Sequence, residues 1–259
     1  MCFKAVIFDL DGTLVEASSA WRTGFQKILA SLNHHMTEDD FQKLYRMTYM
    51  EIRCFFRDIY EAKKQTGHIS FDSVMNNLTS EMERRYSFEI QAKPHALHFV
   101  KTLYNLEIPA CLATLTPINI AEKALTWLGF TPYLDFVITG DDVGASKKFA
   151  DIYLTAAKRL GFQPCEIIVF EDCPTAAKTA YNAGFIVCGV ADPSQSRQIE
   201  ELYPYCHWYI TGYRDAFWKV PAMLAGPAWG ERPRLLTSPS GGHPEALFKT
   251  QQAPAPPSI

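Results

Sequence analysis

Six continuous apolar runs alternate with amphipathic helical patterns through most of this chain, and no other feature constrains its fold as strongly. The runs are KAVIFDL (4–10), ACLAT (110–114), DFVIT (135–139), EIIVF (166–170), FIVCGV (185–190) and HWYI (207–210). None alternates apolar with polar residues, which is the mark of strands buried on both faces of a parallel sheet. Between them lie AEKALTWLGF (121–130), FADIYLTAAKRLGF (149–162) and TAAKTAYNAG (175–184). These patterns end at or near a glycine suited to a helix C-cap. Strand alternating with helix predicts an α/β fold, a doubly wound, Rossmann-like parallel sheet.

Residues 16–89 break the alternation. They show four helical stretches, SAWRTGFQKILASL, TEDDFQKLYRM, MEIRCFFRDIYEAKK and FDSVMNNLTSEMERRY, and no strand. Thr37 before the acids of TEDD reads as a helix N-cap. An insert placed directly after the first strand sits over the strand ends, where open α/β sheets bind ligands. The expected organisation is therefore an α/β core of residues 1–15 and 90–225, a helical cap of 16–89 in the position of a lid, and a tail of 226–259. That tail is dense in Pro, Gly and Ser and is expected to be flexible.

Composition removes several function classes. A formal net charge of -3, with both signs interspersed, argues against nucleic acid and anionic lipid as partners. No run approaches the roughly 18 apolar residues that a membrane span needs. The start, MCFKAVIFDLDG, lacks a cleavage-site pattern, so an unexported, cytoplasmic protein is expected. Seven widely spaced cysteines without a CxxC pair fit a reducing compartment.

The chemistry gathers at strand ends. Asp9 and Asp11 close the first run and are followed by Gly12 and Thr13, a turn whose amides can face an anion. EIIVFED repeats the design with Glu171 and Asp172. If these strands are neighbours, the carboxylates converge, and a cation is the economical way to relieve their repulsion. Oxygen-only ligands favour Mg2+, which binds through one or two carboxylates plus substrate phosphate. Thr114, ending ACLAT, could hold a phosphate oxygen together with the amide of Leu115. Lys147 or Lys148 could neutralise the remaining phosphate charge.

Taken together these segments resemble the haloacid dehalogenase superfamily: FDLDGTL is similar to its first motif, Thr114 to its second, Lys147 to its third and FED to its fourth. The resemblance runs from residue 4 to about 215, and GASKKFADIYLTAAKRLG is similar to a segment of the β-phosphoglucomutase-like branch, with Lys148, Phe149 and Ala150 departing from its Pro-x-Pro pattern. It implies Asp9 as nucleophile, forming an aspartyl-phosphate, and Asp11 as general acid and then base. It also implies a metal site of Asp9, the Asp11 backbone carbonyl and Asp172, with Glu171 acting through the metal's waters. Thr114, Leu115 and Lys147 would hold the phosphoryl oxygens, and residues 16–89 would be the family's C1 cap.

Within that cap Arg46, Arg53 and Arg57 share a helical face and could meet an anionic substrate, or pair locally with Glu51, Asp58 and Glu61. Trp21 could line the mouth of the site or serve as packing. His34 and His35 fall in an expected exposed turn. The expectation is a Mg2+-dependent phosphatase of a small phosphorylated metabolite, a sugar or polyol phosphate, acting as a monomer or homodimer. The alternatives are a β-phosphoglucomutase, a phosphonoacetaldehyde hydrolase and a non-catalytic phosphate-binding module.

Overall fold

A computed structural model describes residues 3–63, 69–193, 199–217 and 234–236 of the 259-residue chain. The apolar runs become β1 (Ala5–Phe8), β4 (Ala110–Thr114), β5 (Val137–Thr139), β6 (Ile167–Glu171), β7 (Ile186–Val190) and β8 (Trp208–Ile210). Two-residue strands β2 (Val15–Glu16) and β3 (Gln91–Ala92) lie between β1 and β4, and β9 is Arg234–Leu236. The main sheet is parallel throughout, in the order β5-β4-β1-β6-β7-β8-β9. Every residue of β1, β4, β6 and β7 is buried, as continuous apolar runs require when helices cover both faces.

The tail expected to be flexible from residue 226 lies outside the described residues except for Arg234–Leu236. The backbone of these three residues pairs in parallel with β8, whose outer edge would otherwise present unpaired N–H and C=O groups.

The insert forms α1 (Ser18–Ser31), α2 (Glu38–Leu44), α3 (Tyr49–Ala62) and α4 (Phe71–Phe88). Thr37 and Thr48 each build a capping box, with Asp40 and Glu51 respectively. Helices α1 and α4 pack side by side because Gly24 of α1 lets Met82 approach: a Cβ there would stand 2.7 Å from its Sδ. Lys27 and Glu81 tie the same pair at 2.8 Å. The chain leaves and re-enters the core through the antiparallel β2–β3 pair, Val15 opposite Ala92 and Glu16 opposite Gln91.

Helix α5 (Ala96–Asn105) then covers one face of the sheet with Ala96, Phe99, Val100 and Leu103, and α6 is Ile118–Leu128. The remaining helices are α7 (Gly140–Val143), α8 (Asp151–Leu160), α9 (Pro174–Asn182), α10 (Ile199–Leu202) and α11 (Tyr213–Phe217). One apolar cluster runs from Phe8, Phe99 and Phe170 into the cap through Trp21, Phe25 and Phe56; a second lies across the sheet around Ile7, Tyr153 and Phe185. Strand β1 stands between β4 and β6, so the carboxyl ends of these three neighbouring strands meet at one edge.

Candidate active site

That edge is where the strands deliver Asp9, Thr114, Glu171 and Asp172. Asp9 follows the last residue of β1, Thr114 and Glu171 end β4 and β6, and Asp172 comes next in the chain; all four are buried. They line one wall of a cavity of about 480 Å³, with Asp11, Leu115, Thr116, Ser146 and Lys147 beside them and Trp21, Tyr45, Arg46 and Tyr49 opposite, on the cap. Close approach is built into the backbone. Gly12 has φ +86°, and a Cβ at this position would lie 2.2 Å from Asp172 Oδ2.

Lys147 is the lysine that points inward. Its ammonium donates to Asp9 Oδ1 and Glu171 Oε1, both at 2.5 Å, whereas Lys148 is exposed and stands 3.7 Å from Glu51. Burial works against charge on Lys147, yet Asp9 and Glu171 hold its ammonium above the ordinary lysine value. Burial raises the Asp9 carboxyl to about 7; Lys147 opposes this, while Glu171 and Asp11 add to it. The Asp172 carboxyl is pushed well above the usual carboxylate range by burial, then by Glu171 and Asp9.

Glu171 is fully engaged by the protein. Lys147 and Tyr153 donate to its Oε1, and the amides of Asp172 and Cys173 donate to its Oε2. Even so, carboxylate oxygens of Asp9, Glu171 and Asp172 lie within 4.8 Å of one another. A divalent cation fits this cluster. Lys147 pairs with Asp9 and Glu171 but not with Asp172, and with Glu171 already committed, Asp9 and Asp172 are the carboxylates that could ligate a cation directly.

Asp11 turns the other way, toward the cap. Trp21 Nε1 of α1 and Tyr86 Oη of α4 donate to it at 3.0 and 2.6 Å, and Thr116 Oγ1 adds a third bond. Burial raises its carboxyl above the usual range, and these donors partly offset the rise. Trp21 therefore both packs against Phe25 and Tyr86 and touches the site. The Thr114 hydroxyl accepts from the Thr116 amide at 3.1 Å, which orients the loop carrying Leu115.

The cap arginines divide. Arg46 lines the cavity, whereas Arg53 and Arg57 are not among its lining residues. Tyr49 and Ile52 are the α3 residues at the cavity, so Arg53 and Arg57 look toward the start of α4. There Arg53 pairs with Asp72 at 2.6 Å, and both guanidiniums lie over the Phe71 ring at 5.1 and 4.9 Å. His34 is half-buried, 3.9 Å from Asp40, and His35 is exposed.

Sequence reasoning missed Tyr86, Thr116 and Tyr153. Each carries a hydroxyl to an acid that is distant in sequence, 75 residues away for Tyr86 and 105 for Thr116. Thr116 alone left a local trace, standing two residues beyond Thr114 in the same loop.

The profile of the haloacid dehalogenase-like hydrolase family matches residues 3–184, and the chain belongs to that family. Within it, the chain is 29% identical over 184 residues to the phosphorylated carbohydrates phosphatase of Thermotoga maritima, covering 70% of this chain and 82% of that protein. It is 25% identical over 182 residues to the fructose-1-phosphate phosphatase YqaB of Escherichia coli, covering 70% and 93%. Among solved structures, the β-phosphoglucomutase of Clostridium difficile superposes with a TM-score of 0.65 at 17% identity, over 86% of this chain and 99% of that one; at this identity the likeness is one of fold.

Proposed function

We propose that the chain is a Mg2+-dependent phosphatase that hydrolyses a small phosphorylated metabolite, a sugar or polyol phosphate, through an aspartyl-phosphate on Asp9. The observation that carries the reading is the division of labour between two acids two residues apart. Asp9 faces Lys147 and the acidic cluster, whereas Asp11 is held out toward the cap by three neutral donors. This difference supports Asp9 as the attacking group and Asp11 as the proton carrier. The phosphatases named above, whose names carry phosphorylated carbohydrates and fructose 1-phosphate, support the substrate class.

In this reading Thr114, the Leu115 amide and Lys147 hold the phosphoryl oxygens while Asp9 Oδ attacks phosphorus in line. Asp11 gives its proton to the departing alkoxide, then takes one from the water that opens the aspartyl-phosphate. Asp9, the Asp11 carbonyl and Asp172 would hold Mg2+, which would supply positive charge against the phosphoryl group, while Glu171 keeps the Lys147 ammonium in place beside them. The α1–α4 cap excludes bulk water from the cavity. No described helix is long and apolar enough to cross a membrane.

The test is phosphate release from a panel of sugar, polyol, nucleotide and amino-acid phosphates, with Mg2+ or chelator, beside Asp9→Asn. Release that needs both Mg2+ and Asp9 is the expected result, with at least about a thousandfold loss in the variant. Activity surviving the substitution would remove Asp9 as nucleophile. Glucose 6-phosphate formed from β-glucose 1-phosphate without phosphate release would replace hydrolysis by mutase chemistry.

A further inference from the structure

Tyr45 caps the C-terminus of α2 and lines the cavity from the cap side. The ring is fixed without help from that hydroxyl. It stacks on Phe41 at 5.4 Å and 25°, and Phe41 is itself buried, with the Arg22 guanidinium 3.8 Å from its ring centroid. The Tyr45 oxygen is buried and has no hydrogen-bond partner among the described residues. Other tyrosines around the site are satisfied: Tyr86 on Asp11, Tyr49 on Thr79, Tyr153 on Glu171. Tyr213 shares the unpartnered state, but it stacks among Phe8, Phe99 and Phe170 in the core and does not line the cavity.

A buried hydroxyl without a partner is costly, and one that persists in a ligand-sized cavity marks a contact left for the ligand. Burial holds its proton firmly, and the charges of Asp11, Asp172, Asp192 and Asp9 reinforce this, so the group acts as a donor. Two of the four acids lining the inner wall are filled, and the other two, Asp9 and Asp172, are the ones proposed to face the cation. Asp11 is filled by Trp21, Tyr86 and Thr116, and Glu171 by Lys147, Tyr153 and two amides. Phosphoryl oxygens have Thr114, the Leu115 amide and Lys147 at the sheet edge. A donor on the facing wall therefore reaches the other half of the substrate. A neutral O–H suits a neutral oxygen, which an alcohol carries and a hydrocarbon or plain aryl group lacks.

We infer that the Tyr45 hydroxyl reads the leaving group, donating to a hydroxyl oxygen of a sugar or polyol bound beneath the cap. The inference rests on the phosphatase reading and adds to it a residue and a chemical criterion for the substrate.

Tyr45→Phe tests it, because the ring and its stack on Phe41 remain. The quantity read is kcat/KM on fructose 1-phosphate and glycerol 3-phosphate divided by kcat/KM on phenyl phosphate, with Mg2+ present. This ratio falls about tenfold in the variant, mainly through KM on the hydroxylated esters. The melting temperature of the free enzyme rises by about 1–3 °C as the unpaired hydroxyl is removed. A ratio held within about twofold, or a melting temperature that falls, overturns the inference, since the hydroxyl would then serve the protein and not the ligand. Failure of the phosphatase reading is distinguishable: the parent enzyme would release no Asp9-dependent phosphate from any of the three esters, and the inference would fall with it.

Discussion

Three uncharged donors on one carboxylate are more than orientation alone requires, and at Asp11 they come from three separate segments: Trp21 from α1, Tyr86 from α4 and Thr116 from the loop after β4. Two of the three belong to the cap. The position of the proposed acid thus depends on how the insert sits, which would give the cap a part in the proposed chemistry as well as in enclosing it. Tyr86→Phe keeps the buried ring and its edge contact with Trp21 at 6.2 Å and removes only the donor. A positioning role predicts that kcat falls about tenfold while KM changes little, because the phenol touches Asp11 and not the substrate. Steady-state kinetics on the best ester of the panel reads the split. An unchanged kcat, or a loss confined to KM, would return Tyr86 to simple packing.

At the scale of elements, the strands were legible because being buried on both faces writes itself as an unbroken apolar run, and the acids were legible because they follow such runs directly. Helix α5 was not. Its buried positions, Ala96, Phe99, Val100 and Leu103, have helical spacing, but the chain enters it through His95 at φ 65° without a side-chain cap, so no start signal precedes it. The β2–β3 pair, two residues per strand, is too short for any period to show. In the cap, amphipathicity reports which face of a helix is buried, not which buried residue meets the site, so Arg53 and Arg57 could not be told apart from Arg46. The step into β8 carries a further consequence. His207 Nδ1 accepts from the Val187 amide at 3.0 Å, and burial lowers its imidazole to about 4 from an ordinary 6.5. The folded state then binds fewer protons than the unfolded state between those values. The associated stability is complete above pH 6.5 and is lost as pH falls toward 4. Relative to His207→Asn, whose amide oxygen can still accept from Val187, the parent should lose about 1–2 kcal/mol over that interval, an amount discounted for partial exposure. Urea titrations of both proteins at pH 7 and pH 4.5 measure the difference. Parallel losses in the two would assign the pH dependence elsewhere. Glu81, held at about 2 by Lys27, Arg85 and Arg84 against its burial, acts at lower pH and cancels between parent and variant.

For the molecule as a whole, the site concentrates cost at the meeting point of core and cap. Asp9, Glu171 and Asp172 converge on one another with the Lys147 ammonium between the first two, and burial together with mutual repulsion drives the Asp9 and Asp172 carboxyls upward. Such a cluster weakens the metal-free fold, since a folded-state carboxyl raised above its unfolded value loses stability as pH climbs through the raised range. A cation bound there reverses the sign by binding the folded chain and not the unfolded one, so Mg2+ at about a hundred times its dissociation constant should add about 2.7 kcal/mol. Thermal melts with Mg2+ against chelator give the magnitude, and the shift should be larger at pH 8 than at pH 5, because protons compete for the same oxygens. Asp172→Asn separates this account from general salt effects: it removes one repelling charge and one ligand together. The variant should melt higher than the parent in chelator and respond little to Mg2+. Because Gly12 lies against Asp172, the isosteric amide is the substitution this wall can accept without moving the β1 turn. A variant less stable than the parent in chelator, or equally responsive to Mg2+, would show that the acids at the strand ends are compensated within the protein, and that the cation is not what joins the two halves of the site.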